Sequence, residues 1–149
     1  MGKDGIPGKD MKFKVSEKRC TGCQLCQLAC SSAREGSYSL KPSRIHVLSS
    51  LENKGPKIVV CRQCKTCHCI EACQYDAFKR DEKTGGISID LDGCQACLAC
   101  IEACPFGAVT LHSKNHLPMV CDLCGGRPPC VAVCAPRAIQ GIEASSEGR

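Results

Sequence analysis

Sixteen of the seventeen cysteines in this 149-residue chain fall into four groups of related spacing. The first is Cys20, Cys23, Cys26 and Cys30, with gaps of two, two and three residues. The second is Cys61, Cys64, Cys69 and Cys73; the third is Cys94, Cys97, Cys100 and Cys104, followed directly by Pro105; the fourth is Cys121, Cys124, Cys130 and Cys134. Three thiolates this close together wrap one iron–sulfur cube. A fourth cysteine after a three-residue gap, in the run that ends Cys-Pro, ligates the other cluster of a pair. The expectation is that this fourth cysteine starts a helix leading away from its own group, and proline suits a first turn because its missing N–H costs little there. Cys67 would also complete a Cys-x2-Cys-x2-Cys run. Only Cys69, however, keeps the three-residue gap to the last cysteine that the other groups share. Cys69 is therefore the expected ligand, and Cys67 a free, partly buried thiol.

Composition supports metal as the organiser. The chain has no Trp, three Phe and two Tyr, so the side chains that bring the largest buried areas are scarce. Once cysteine is set aside the apolar complement is small, and something bound to sulfur must help hold the fold. No run approaches the roughly 18 apolar residues that span a bilayer. Residues 1–14 show no apolar h-region and no twin arginine, and Ile6 stands where a myristoylation site needs Ser or Thr. The expected location is the cytoplasm, where thiols stay reduced, and an odd cysteine count also argues against a disulfide framework. The alternative is a zinc-binding structural or interaction module. Tetrahedral zinc usually takes two Cys-x2-Cys pairs separated by a longer loop, which three cysteines in seven residues fit poorly. Cys67-His68-Cys69 is the single Cys-x-Cys step, too little for a metallothionein. There is no GxGxxG, no P-loop and no supported Ser/His/Asp arrangement. His68 adjoins Cys69 but is not needed as a ligand. His46, His112 and His116 are expected at the surface or hydrogen-bonded.

Each cysteine group opens a similar unit. Before the third, Ile87, Ile89 and Leu91 alternate with polar residues as a half-buried strand does; Cys97 to Cys104 fits a short helix, and Ala108 to Leu111 a returning strand. Lys57 to Val60 and Tyr75 to Lys79 repeat this around the second group. After the fourth, Ala135-Pro136-Arg137-Ala138-Ile139 has its proline one residue late, so a different turn is expected there. Residues 31–60 hold a strand at Arg44 to Leu48 and a turn at Glu52 to Pro56, and 81–86 form a polar hairpin. Gly125-Gly126-Arg127-Pro128-Pro129 is expected to pass close over a cluster.

On these four groups, in this order and with these looser second and fourth spacings, the chain resembles the four-cluster ferredoxin-type iron–sulfur subunits. These accompany dimethyl-sulfoxide reductase, formate dehydrogenase, formate hydrogenlyase, carbon-monoxide dehydrogenase and tungsten aldehyde oxidoreductases. The resemblance covers roughly residues 12–142. It departs in lacking a proline after Cys30, Cys73 and Cys134, and in the extra Cys67. It implies an α+β, ferredoxin-like fold of two pseudo-symmetric bicluster lobes with short β-hairpins and short helices. An arm over 1–11 would precede a four-cluster domain over 12–142, with lobe one from 12–56 and 112–142, lobe two from 57–111, and a tail over 143–149. It implies four [4Fe–4S] clusters with exchanged fourth ligands: Cys20, Cys23, Cys26 with Cys134; Cys121, Cys124, Cys130 with Cys30; Cys61, Cys64, Cys69 with Cys104; and Cys94, Cys97, Cys100 with Cys73.

The formal charge is +5. Four oxidised cubes, each about −2 with its thiolates, would bring it to about −3, so the basic excess reads as compensation for anionic cofactors. Lys3, Lys9, Lys12, Lys14, Lys18 and Arg19 form the notable basic cluster, read as a solvated arm or a docking surface for an acidic partner. No aromatic platform accompanies it, and nucleic acid is not an expected partner. The expected function is an electron-transfer subunit, not itself an enzyme. It would pass single electrons between a catalytic tungsten, molybdenum or nickel–iron subunit and a second redox protein or flavoprotein. By analogy with the resembled family, a tungsten aldehyde oxidoreductase is the first choice, and carbon-monoxide dehydrogenase or a formate–hydrogen system the alternative. The membrane-complex members are longer and carry an anchor, which favours a soluble complex here. Self-association into a filament is a further expectation.

Overall fold

The computed structural model describes residues 11–49, 52 and 54–143. Nearly all of the expected arm and tail lies outside these residues. Met11 and Glu143 belong to strands, one residue beyond each end of the expected four-cluster domain. Among these residues eight short strands make four two-stranded antiparallel sheets, and four short α-helices pack in pairs.

β1 (Met11–Val15) pairs with β8 (Ile139–Glu143), joining the two ends of the described chain with Phe13 opposite Gly141. α1 (Leu25–Glu35) packs on α4 (Pro129–Ala132) beside this sheet. The inner half repeats the plan. β4 (Phe78–Arg80) pairs with β5 (Ile87–Ile89), and α2 (His68–Glu71) packs on α3 (Ala99–Ala103). Two more hairpins join the halves: β2 (His46–Leu48) with β3 (Lys57–Val59), and β6 (Thr110–Leu111) with β7 (Pro118–Met119). Lobe limits at 56/57 and 111/112 therefore pass through hairpins, and the buried side chains form a connected core across both halves.

Local chemistry explains the elements. α1 ends at Gly36, whose left-handed φ of 69° lets its N–H donate to the Ser32 carbonyl, the usual glycine stop. α4 begins with proline in its first turn. In the β4–β5 connection the Asp81 carboxylate accepts from the N–H groups of Lys83 and Thr84, at 2.6 and 3.2 Å, which fixes the turn. The core is as thin as composition implies. Ile45, Ile87, Leu123 and Ile139 are its largest fully buried side chains, and eight cysteines are buried with them.

Several expectations are corrected in detail. The fourth cysteine does not start a helix. Cys69, Cys100 and Cys130 lie inside α2, α3 and α4, while Cys73, Cys104 and Cys134 fall just past the ends. α3 begins at Ala99, not Cys97, because Leu98 is left-handed at φ 63°, outside the right-handed helical range. In the first group both Cys26 and Cys30 sit within the longer α1. The strands near Arg44, Tyr75 and Ala108 start later, at His46, Phe78 and Thr110. The turn after Cys134 does not differ. Asp76, Gly107 and Arg137, each three residues beyond the last cysteine, have φ of 52°, 64° and 54°, and each is followed by a buried alanine, Ala77, Ala108 or Ala138. Without proline after Cys73 and Cys134, the turn is the same. Lys12 is not part of a solvated arm: its side chain is 8% exposed.

Candidate functional site

The chain takes one geometry at the first two cysteines of every group. The residue before the second cysteine is left-handed in all four: Gly22 (φ 76°), Gln63 (48°), Ala96 (53°) and Leu123 (66°). Only one is glycine, and the conformation costs each of the others roughly 1–2 kcal/mol. It turns a backbone N–H back onto the first sulfur. Gly22 donates to Cys20 Sγ at 3.4 Å, Gln63 to Cys61 Sγ at 3.5 Å and Leu123 to Cys121 Sγ at 3.5 Å. Two fourth cysteines are served likewise, Arg44 N–H donating to Cys30 Sγ and Ala138 N–H to Cys134 Sγ, both at 3.3 Å. Donors aimed at sulfur favour thiolate, the form that ligates metal.

Two cavities are each walled by four cysteines. Cys20, Cys23 and Cys26 face Cys134 across a small pocket closed by Leu25, Val47, Ile58 and Ile139. Cys94, Cys97 and Cys100 face Cys73 across another, closed by Phe78, Ile89, Leu98 and Pro118. The remaining thiols group electrostatically. Burial pushes Cys121 up to about 12, and the neighbouring Cys124 and Cys30 add to it. Cys130 is raised by burial, then by Cys121, Cys30 and Cys124. Cys61 is raised by burial and by Cys121, Cys69 and Cys64, and Cys69 is pushed up to about 12 by burial, then by Cys67 and Cys104. Cys26 rises to about 11 through burial, with Cys134, Cys20 and Cys23 contributing. Unligated, these crowded buried thiols hold their protons, and a group that takes four thiolates must displace them.

The fit to a cluster rests on these observations. Four thiols stand round each cavity, and at the first of them N–H groups are directed at Cys20 and Cys134. Beside Cys30, Cys121 and Cys124 lie two guanidinium groups. Arg34 pairs with Asp122, and Arg34 Nε and Arg44 Nη1 are buried donors without a protein acceptor.

Cys67 lies beside Cys69 and Cys64 but has side-chain partners of its own. It is 5% exposed, its Sγ donates to the Cys64 carbonyl at 2.7 Å, and it receives a bond from Arg80 at 3.1 Å. His68 is exposed and lies 3.8 Å from Glu71. His112 is buried. Its Nδ1 accepts from Lys114 and Asn115 N–H groups, which leaves the proton on Nε2 to meet Glu35 at 3.3 Å. Gly125 and Gly126 in the fourth group's loop are both left-handed.

Two buried glutamines that position the cysteine groups carry no sequence signal. Gln63 Nε2 donates to the Cys121 carbonyl at 2.7 Å while its Oε1 accepts from Ile87 N–H at 2.9 Å, tying the second group to the fourth and to β5. Gln27 Oε1 accepts from Val47 N–H at 2.8 Å, fixing α1 against β2.

Comparison with known proteins agrees with this geometry. Residues 57–143 match the 4Fe-4S dicluster domain. The chain is 37% identical over 123 residues to the polyferredoxin-like subunit of an aliphatic sulfonate oxidoreductase from Pyrococcus furiosus, covering 80% of this chain and 69% of that one. It is 33% identical over 137 residues to YsaA, a putative electron transport protein of Escherichia coli, covering 84% and 85%. In fold it resembles a chain in the BamBC active site complex of benzoyl coenzyme A reductase, with TM-score 0.53 and 19% identity over 89% of this chain and 76% of that one.

Proposed function

Because this chain belongs to the 4Fe-4S dicluster domain family and is a non-catalytic iron–sulfur electron-transfer subunit, we propose that it holds four [4Fe–4S] clusters in a row and relays single electrons between a catalytic oxidoreductase subunit and a second redox protein. The ligands would be Cys20, Cys23, Cys26 and Cys134; Cys121, Cys124, Cys130 and Cys30; Cys61, Cys64, Cys69 and Cys104; and Cys94, Cys97, Cys100 and Cys73. The observation that carries this is the pair of cavities in which three cysteines of one group meet the last cysteine of another. Bound there, an all-thiolate cluster supplies a one-electron couple and no open coordination position.

Neighbouring thiols support an order. The first set meets the second through Cys26 and Cys130, and the second meets the third through Cys121 and Cys61. The third and fourth are joined by the packing of α2 on α3. The two end sets each have an exposed cysteine, Cys23 and Cys97, whereas Cys30, Cys61, Cys69, Cys121 and Cys130 of the inner sets are buried. A row with accessible ends and shielded middle members suits passage through the protein, since exposure and backbone hydrogen bonds tune each potential.

The first choice of catalytic partner is a tungsten or molybdenum aldehyde oxidoreductase, working in the reducing cytoplasm. Support comes from the family resemblance and from a relative named as a subunit of a sulfonate oxidoreductase. No helix among the described residues is long and apolar enough to cross a membrane. The test is anaerobic copurification from native cells with metal analysis of the complex. Tungsten or molybdenum in stoichiometric amount is expected, and its absence from a complex that still contains this chain removes that choice.

A further inference from the structure

We propose that the groove between β1 and β3 is a docking site for an extended acidic segment of a partner redox protein. The proposal deepens the relay reading, on which the redox character of the partner rests. β1 pairs only with β8, and β3 only with β2, so each keeps an open edge among the described residues. Consecutive residues of both strands line one groove of about 730 Å³. An open strand edge offers unpaired backbone groups to an added extended segment.

The charge of the lining selects the occupant. Lys14, Lys18, Lys57 and Arg62 border the groove and are exposed. No carboxylate pairs with any of them among the described residues. Among the described residues the one acidic lining residue is Glu17, and its Oε1 accepts from the Ile58 N–H of β3 at 3.1 Å. The edge of β3 therefore already binds one carboxylate, supplied by the chain itself. Arg62 also lies over the Phe106 ring, 4.5 Å from its centroid, and Phe106 is 41% exposed, which gives the basic rim an apolar anchor. Exposed cations around an edge that takes carboxylate fit an acidic polypeptide, and complementary charge of this kind sets association rate and specificity. The groove wall includes Cys61, so a partner docked here meets the row at its third set, beside it, rather than at an exposed end.

The test uses anaerobically purified, iron-loaded protein and a fluorescent polyglutamate peptide at low ionic strength. The variant Lys14→Glu, Lys18→Glu, Lys57→Glu is compared with Lys41→Glu, Lys83→Glu, Lys114→Glu, which makes the same change of net charge outside the groove. The groove variant should bind at least about tenfold more weakly, and the control within about twofold of wild type. Glu17→Gln, which keeps an acceptor for Ile58 but removes the competing charge, should tighten binding. Equal weakening of both triple variants, or no binding by the wild type, overturns the proposal. So does displacement of the peptide by a single-stranded oligonucleotide that binds more tightly. Iron content is read on every sample, so a failed docking test with iron intact leaves the relay reading standing, and a chain without iron fails that reading instead.

Discussion

Arg80 reaches across from β4 to donate to Cys67 Sγ at 3.1 Å and to the Cys64 carbonyl at 2.7 Å, the same carbonyl to which the Cys67 thiol donates. Burial pushes the Cys67 thiol up, so it keeps the proton that this bond needs. Serine can make the same bond. Cys67→Ser should therefore retain full iron, while Cys69→Ser should lose about four irons per chain. Iron and protein assay of the two variants decides between them. Loss of a cluster in Cys67→Ser with retention in Cys69→Ser would reverse the ligand assignment in the second group.

The exchange of fourth ligands makes a distinct prediction. Cys134 is in the fourth group by sequence but stands round the cavity of Cys20, Cys23 and Cys26. Cys134→Ser and Cys20→Ser should each lower the iron content by about four, and combining them should lower it no further. Cys134→Ser with Cys121→Ser should remove about eight. If the first pair proved additive, the two residues would serve different clusters.

Gln63 holds three segments through two buried hydrogen bonds, to the Cys121 carbonyl and from the Ile87 N–H. Gln63→Leu keeps the bulk and leaves both groups unsatisfied, at roughly 1–3 kcal/mol each. The loaded protein should melt earlier and release iron faster to a chelator, whereas an exposed change away from the cysteines, such as Lys41→Gln, should do neither. An unchanged chelation rate would show that these bonds do not hold the groups together.

Arg44 lies beside Cys30 and Cys124, with a buried guanidinium N–H that no protein group accepts. Reduction adds negative charge, which a fixed cation favours. A unit charge acting over roughly 10 Å at an effective dielectric constant of about 20 is worth about 1.7 kcal/mol, or roughly 70 mV for one electron. Arg44→Gln should lower the potential of one cluster by tens of millivolts in a redox titration followed by paramagnetic resonance, leaving the others in place. Four unchanged potentials would remove Arg44 from that role.

Spacing alone grouped the cysteines, eight of which wall two cavities, and sequence pattern located β2 to β6 to within a few residues, while β1, β7 and β8, formed by pairing with distant or short partners, were missed. What was illegible is nonlocal or conformational. Gln63, Ala96 and Leu123 take the left-handed backbone that glycine takes at Gly22, and nothing in those residue types announces it. The turns after Cys73 and Cys134 match the one after Cys104 without its proline, because the backbone conformation three residues on, not the ring, defines them. Lys12 looks like a surface base yet is buried in β1, a placement that its residue type does not announce. Gln63 and Gln27 matter through partners 58 and 20 residues away, distances that no local pattern encodes.

The central claim is that these cysteines hold four cubes in one small chain. Native mass spectrometry of anaerobically isolated protein, checked by iron and acid-labile sulfide assay, measures it directly. The account predicts about sixteen irons and sixteen sulfides per chain, as a single dominant species. A loaded chain carrying zinc, or saturating at two cubes when iron and sulfide are in excess, would contradict it.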